Sequence, residues 1–416
     1  MRWFPADGVA LLKQRDFLLF VLQRMFGNIG AQMLTVAVGW QVYDKTGNPL
    51  DLGWIGLSQF APFVVLILPA GHFADHHDRR RILSACYLVH VLCAMALAMY
   101  TWSAATQVWP IFMVMTVLGM ARAFATPASQ SLLPNLVMRE LFGRAIAYNF
   151  TLFQVATILG PVLGGLLLLA GMQAVYAAVM ICGVVCMAAV RKIQYRHVAP
   201  AQPAVTAAAE SGVKALLKGL SFVRAQPLVL GAISLDLVAV LFGGATALLP
   251  IYAGDILHVG PTGLGMLRSA TGVGALICAI GLSVYPITRH VGRWLFGSVS
   301  LFGVSTIVFG ASTSFVLSLV ALTMLGASDM VSVFVRHYLV QLMTPDAIRG
   351  RVSAVSSVFI GASNELGEFE SGVTAAWWGA VGAVIVGGSV TMVLTLWWMR
   401  LFPALRNMDR FPEPMR

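Results

Sequence analysis

The chain is 416 residues long, 58% hydrophobic and only 11% charged, with a mean hydropathy of +0.82. Soluble domains carry roughly 25% charged residues, so a water-soluble fold is all but excluded. The formal net charge of +10 sits mostly in loops between apolar runs, which fits membrane topology and anionic lipid and calls for no nucleic-acid partner.

A spanning helix needs roughly 20 mostly apolar residues, because every backbone N–H and C=O must be satisfied within the segment once water is absent. Six such runs are predicted in the first half, at Phe17 to Val42, Leu52 to Ala74, Ile82 to Trp102, Val108 to Pro127, Ala145 to Leu169 and Met172 to Val190. Six more follow, at Pro227 to Ala253, Thr262 to Ile287, Trp294 to Ser312, Phe315 to Gln341, Val352 to Trp377 and Val381 to Arg400. The first run follows Lys13, Arg15 and Asp16, is long enough to span and lacks a small-residue cleavage pattern, so the N-terminus is expected to be retained. All five cysteines fall inside apolar runs without metal-ligand spacing and read as small packing residues.

With about twelve spans the loops alternate sides, and the basic residues separate sharply between them. Arg79, Arg80 and Arg81, Arg139 and Arg144, Arg191 and Lys192, Arg289 and Arg293, Arg349 and Arg351, and both tails share one side, whereas the other holds only Lys45. Both termini are therefore expected in the cytoplasm. The expected fold class is an all-α membrane protein of about twelve transmembrane helices in two pseudo-symmetric six-helix bundles. The first is residues 1–190. A cytoplasmic linker, 191–226, has an Ala/Pro-rich centre followed by a surface helix at VKALLKGLSFV, and 227–416 form the second bundle and tail. An internal repeat supports this division. Arg79 aligns with Arg293, Gln130 and Pro134 with Gln341 and Pro345, and Gly143-Arg144 with Gly350-Arg351, the separation shrinking steadily along the chain as small deletions in a duplicated unit require.

The loop at Gly71, Asp75, Arg79 and Arg80 resembles the loop signature of the major facilitator superfamily, although His76 and Asp78 stand where that signature carries a basic residue and a Gly. Gly292 and Arg293 retain part of it in the second half. Ala156-x-x-x-Gly160-Pro161-x-x-Gly164-Gly165 looks like the superfamily's antiporter motif, with Ala in place of the first Gly. Physically, such a face lets a neighbouring helix approach closely while Pro161 permits a bend, and a generic packing face is the plainer reading. Arg122 corresponds to the arginine of the fourth-helix motif. PASQSLLPNLV, ALLPIYAGDIL and GASNELGEFESG are similar to the secretion-type subfamily that includes enterobactin and macrolide exporters. The resemblance implies a two-bundle, alternating-access transporter, usually proton-driven and more often an exporter. It also implies that Asp75, Arg79, Arg80 and Arg122 hold one side shut in one state; a solvated charge run is the alternative.

A charge at the bilayer centre costs at least about 2.5–3.5 kcal/mol on insertion scales, so embedded ionisable residues are the first functional candidates. Asp236, Asp329 and Glu365 lie near the middles of predicted spans, and Glu365 and Glu368, at i and i+3, share a helix face. They are candidates for a substrate and proton pathway; structural pairing of the eleventh-span acids with Arg336 or Arg24 is the alternative. Asp329 and Arg336, seven apart, share a face but need partners on other helices. Arg24, Asn28, Gln32 and Thr35 form a polar stripe that suits a water-lined cavity better than lipid.

A metal site at His72, His76 and His77 is a minor alternative, and none is expected, nor any cofactor. The expected partners are a small, amphipathic molecule, protons and membrane lipid, with the monomer as the working unit. No Gly-rich loop followed by Lys-Ser or Lys-Thr is present to bind ATP. An importer or lysolipid flippase on the same frame remains open. A membrane-embedded enzyme is a remote reading, since no nucleophile with a positioned base is recognisable.

Overall fold

The computed structural model describes residues 11, 14–103, 105–138, 141–194, 212–345 and 348–412; the side chains of Leu68, Asp75, 212–217, 349–351, Ala354, Ser357 and Val358 are not described. The linker centre predicted between 195 and 211 therefore lies outside the described residues. Among those described there are helices and no strands.

The long helices are α1 (Arg15–Thr46), α2 (Pro49–His76), α3 (Arg79–Trp102), α4 (Trp109–Leu132), α5 (Phe142–Leu167) and α6 (Met172–Lys192). After the shorter α7 (Gly212–Ala225) come α8 (Pro227–Phe242), α9 (Gly260–Val284), α10 (Val291–Ala311), α11 (Phe315–Met343) and α12 (Arg349–Leu401), with a last turn, α13, at Pro403–Arg406. Among the described residues, eleven segments are long and apolar enough to cross a membrane. One of them, within the 53-residue α12, is far longer than the roughly 30 Å hydrocarbon layer needs. It is interrupted at Gly379, where φ of 74° and ψ of 164° leave the helical region, a conformation that glycine tolerates and side chains resist. Its two arms are the eleventh and twelfth spans.

The seventh span differs from its sequence expectation. Instead of one helix from Pro227 to Ala253, α8 stops at Phe242, and the chain continues through a 3₁₀ turn at Ala245–Leu248 and a π turn at Tyr252–Ile256. The physical cause is the Gly243-Gly244 pair. Glycine is the poorest helix former after proline, and both positions are crowded: a Cβ on Gly243 would lie 2.3 Å from Phe302 and one on Gly244 2.9 Å from the Gly367 carbonyl oxygen. The break lets these backbones approach.

The chain forms two compact units whose segments alternate in sequence. The first comprises Met1–Thr46, Ser58–Pro203 and Pro261–Gly265, and the second Gly47–Leu57, Ala204–Gly260 and Met266–Arg416. In the first, Phe17, Phe20, Leu83, Leu132, Ala145 and Val190 build one core. In the second, Val229, Ile233, Leu295, Phe296, Val335 and Leu339 build another, and Val223 of α7 is buried in it, so α7 is docked onto the unit rather than only resting on a membrane surface. Cys86, Cys93, Cys182 and Cys186 are free and buried. Large apolar side chains such as Leu92, Ile181, Ile277 and Val393 are exposed, as a lipid-facing surface requires and a water-facing one would not tolerate.

Candidate functional site

The second unit holds two clusters of charge. In the first, Arg336 Nη1 of α11 donates to Asp236 Oδ2 of α8. Arg336 is 2% exposed and Asp236 4%. Asp329, two helical turns before Arg336 on the same face of α11, interacts electrostatically with both. His337, exposed on α11, adds a weaker electrostatic interaction with Arg336 and Asp236. Arg336 Nε is buried and makes no hydrogen bond among the described residues. A void of about 10 Å³ lies among Asp236, Asp329, Ser328, Ser332 and Phe302, at the lower limit of room for one water. Two carboxylates thus lie in the field of one guanidinium, which bonds Asp236, and with both ionised the cluster carries one uncompensated negative charge in the membrane interior.

The second cluster repeats that stoichiometry. Glu365 and Glu368 of α12 both reach towards the start of α2: a Cβ placed on Gly56 would lie 3.4 Å from Glu365 Oε2 and 3.0 Å from Glu368 Oε2. Their cation is Arg268 of α9, which interacts electrostatically with Glu368 and Glu365. Arg336, the other embedded cation of this unit, donates instead to Asp236. Arg268 falls inside the run predicted at Thr262 to Ile287. Its signal was there, as an embedded cation without a local acid, but which helix supplies the acid is a tertiary fact. Gly367, between the two glutamates, touches the break in α8 through Gly244. A discontinuous helix beside paired acids is the type of construction that membrane transporters use around a midplane site.

In the first unit the polar stripe of α1 faces α4 and α5. Arg24 Nη1 donates to Ser129 Oγ at 3.1 Å, and its guanidinium lies 6.0 Å from the Phe153 ring centroid. Asn28 Nδ2 donates to Thr157 Oγ1 at 2.8 Å and the Phe153 carbonyl oxygen at 3.1 Å. Gln32 lies over Gly160, where an added Cβ would approach Gln32 Cβ to 2.5 Å. Gly164 is equally close-packed, against Met33 of α1, and Gly165 against the first turn of α9, at 2.5 Å from the Pro261 carbonyl oxygen. The Gly160-Pro161-x-x-Gly164-Gly165 face is thus a close-approach surface for two helices.

The loop residues are spread over several contacts. Arg79 Nη1 donates to the Ser131 carbonyl at 2.8 Å, and Arg80 pairs with Asp78 at 3.1 Å. Arg122 lies 5.1 Å from the Phe63 ring centroid. Gly71 has open space around it, and the Asp75 side chain lies outside the described residues. Gly292 packs so tightly on α13 that a Cβ would come 2.3 Å from the Leu405 carbonyl oxygen, while Arg293 is exposed. Asp78 caps α3, accepting from the Arg80 N–H at 2.9 Å. Burial opposes its charge, but hydrogen bonds from the Arg80 side chain and N–H and the charges of Arg80 and Arg81 outweigh it, so the carboxyl titrates below the usual carboxylate range. His76 and His77 contact the carbonyls of His72 and Phe73. Among the described residues no group of three or more His, Cys, Asp or Glu is placed to hold a metal ion.

A helical membrane protein with broken spans and paired interior charges belongs to the class of multi-pass transporters rather than enzymes. Solved structures of that class share its fold. A mutant of the nucleoside transporter NupG aligns with a TM-score of 0.71 at 14% identity, covering 93% of this chain and 100% of that one. A POT family transporter in complex with 5-aminolevulinic acid aligns with a TM-score of 0.72 at 10% identity, covering 94% and 97%. Residues 6–414 match the transmembrane secretion effector family, and the chain belongs to that family of the major facilitator superfamily. Among relatives, the multidrug efflux pump Tap of Mycolicibacterium fortuitum is 25% identical over 97% of this chain and 99% of its own length. The enterobactin exporter EntS of Escherichia coli O1:K1 / APEC is 25% identical over 93% and 88%.

Proposed function

We propose that this chain is a proton-coupled exporter of a small amphipathic molecule, siderophore-like or drug-like, working by alternating access in the inner membrane as a monomer with both termini in the cytoplasm. The observation that carries the coupling is the acid excess inside the second unit, where Asp236 and Asp329 share Arg336. A cluster with two carboxylates and one guanidinium becomes neutral on taking up one proton and charged on releasing it. A conformational equilibrium can follow such a change, because the two charge states differ in their cost of burial. Glu365 and Glu368 with Arg268 form a second group of the same stoichiometry beside the break in α8. The export direction and cargo class rest on the efflux relatives, and Arg24 beside Phe153 suits an aromatic or anionic group on the cargo.

The test is efflux of a catecholate siderophore, a macrolide and a cationic dye from proteoliposomes under an imposed pH gradient, comparing the natural chain with Asp329→Asn. Transport of at least one probe that follows the gradient, and that loses this dependence in the variant, is the expected result. Efflux indifferent to the gradient in the natural chain would remove proton coupling.

A further inference from the structure

We propose that the groove between α3 and α6, at the arginine-rich end of the first unit, is a binding site for the headgroup of an anionic phospholipid. The groove has a volume of about 500 Å³ and is lined by Asp78, Arg80, Arg81, Ser84, Ala85, Leu88 and Arg191. Three guanidiniums meet one carboxylate there, and two of the three are held in place. Arg80 Nη2 pairs with Asp78 Oδ2 at 3.1 Å while its Nη1 donates to the Ile193 carbonyl at 2.8 Å. Arg191 Nε donates to Ser84 Oγ at 3.1 Å. These bonds tie the first turn of α3 to the end of α6 and fix the spacing of the cations. Arg81 is exposed and completes the set.

What lies beneath the cations identifies the ligand as a lipid rather than a soluble anion. From Arg81 along α3, Ala85, Leu88, Leu92, Met95 and Met99 are exposed, at helical spacing on one face. On α6, Val184 and Ile181 are exposed below Arg191. Two parallel apolar stripes therefore descend from the basic mouth, matching a phosphate held at the membrane surface above acyl chains laid along the groove. Arginine is suited to this task because its planar fork binds phosphate oxygens in pairs. Two other grooves lack a cluster of three arginines. One in the first unit, walled by Phe73, Ile82, Val89, Val117, Met120 and Phe124, has no cation in its lining. One in the second unit has a single arginine, Arg293, in its lining, and its His290 is paired with Asp409 at 2.8 Å.

The experiment is native mass spectrometry of the purified full chain after exchange into detergent with phosphatidylcholine, phosphatidylglycerol or cardiolipin, alongside inorganic phosphate. The natural chain is expected to retain one phosphatidylglycerol or cardiolipin in preference to phosphatidylcholine. Arg81→Gln with Arg191→Gln should weaken that retention by about thirtyfold, from about fivefold for the charge of each arginine at a membrane surface. Arg81→Gln alone, at an exposed position, should give an intermediate loss and guards against misfolding of the double variant. Arg289→Gln with Arg400→Gln removes the same charge elsewhere and should leave retention unchanged. Equal retention of phosphatidylcholine, equal loss in the Arg289 and Arg400 pair, or competition by inorganic phosphate at millimolar concentration would each overturn the proposal.

Discussion

Asp236 and Arg336 stand 100 residues apart in sequence and meet as a buried ion pair that joins α8 to α11. Because Asp329 interacts with the same guanidinium, the two partners of the pair are not equivalent. Asp236→Asn leaves one acid for one cation and is expected to cost on the order of 1 kcal/mol, a lost charged hydrogen bond partly replaced by the amide. Arg336→Gln strands two acids in the interior and should cost about 3–5 kcal/mol, as removal of one side of a buried pair does. Thermal unfolding in detergent checks the order of the two. A more damaging Asp236→Asn would show that Asp329 does not share the cation.

The second cluster predicts a rescue. Arg268→Gln leaves Glu365 and Glu368 facing the same point above Gly56 without their cation, so folded yield and transport should fall. Adding Glu368→Gln removes one of the two negative charges and should recover part of the loss, with a coupling energy of about 0.5–3 kcal/mol between the sites. Additive losses in the double-mutant cycle would mean the three residues do not act as one cluster.

How far the sequence reveals these features follows from the physics of each. Apolar runs of spanning length are a local property, so the helical membrane fold is legible directly, as is the gap between the runs ending at Trp377 and starting at Val381, where Gly379 turns the chain. Embedded charges are legible too, since each is rare enough to notice. Their partners are not. Periodicity assigns a residue to a helix face but not to a neighbour, which is why Arg268 and the eleventh-span glutamates could not be joined from spacing alone. The break at Gly243-Gly244 was hidden for a related reason. Its apolar run continues unbroken through Ala253, and hydropathy carries no information on backbone path. The basic groove was equally hidden, because Arg191 and Arg81 are brought together only by packing of α6 on α3.

Glycine substitutions separate close packing from open surface. An added Cβ on Gly165 would lie 2.5 Å from the Pro261 carbonyl oxygen, whereas one on Gly297 of α10 meets nothing within 4 Å. Backbone cannot move aside as a side-chain tip can, so Gly165→Ala is expected to destabilise by about 1–3 kcal/mol. Gly297→Ala should be neutral or stabilising by up to about 1 kcal/mol, from helix propensity alone. Melting temperatures of the two variants against the natural chain decide it, and a Gly165→Ala protein as stable as Gly297→Ala would argue against a close contact at the fifth helix.

Asp78 supplies a pH-dependent contribution with a definite sign. Its carboxyl titrates below the usual range in the folded chain, since the Arg80 bonds and the charges of Arg80 and Arg81 outweigh the opposing effect of burial. A group whose folded value is depressed contributes fully above its unfolded value, about 3.9 for aspartate, and loses that contribution as pH falls through the folded value. Asp78→Ala also removes the side-chain cap of α3, a loss of about 1 kcal/mol in typical helices. At pH 7 the variant should therefore melt below the natural chain, and the gap should close progressively as pH is lowered from about 4 towards 2. Melting curves of both proteins in the same detergent across that range are the measurement. A gap that stays constant to the acid end would mean that the carboxylate's charge contributes nothing and that only the neutral cap matters.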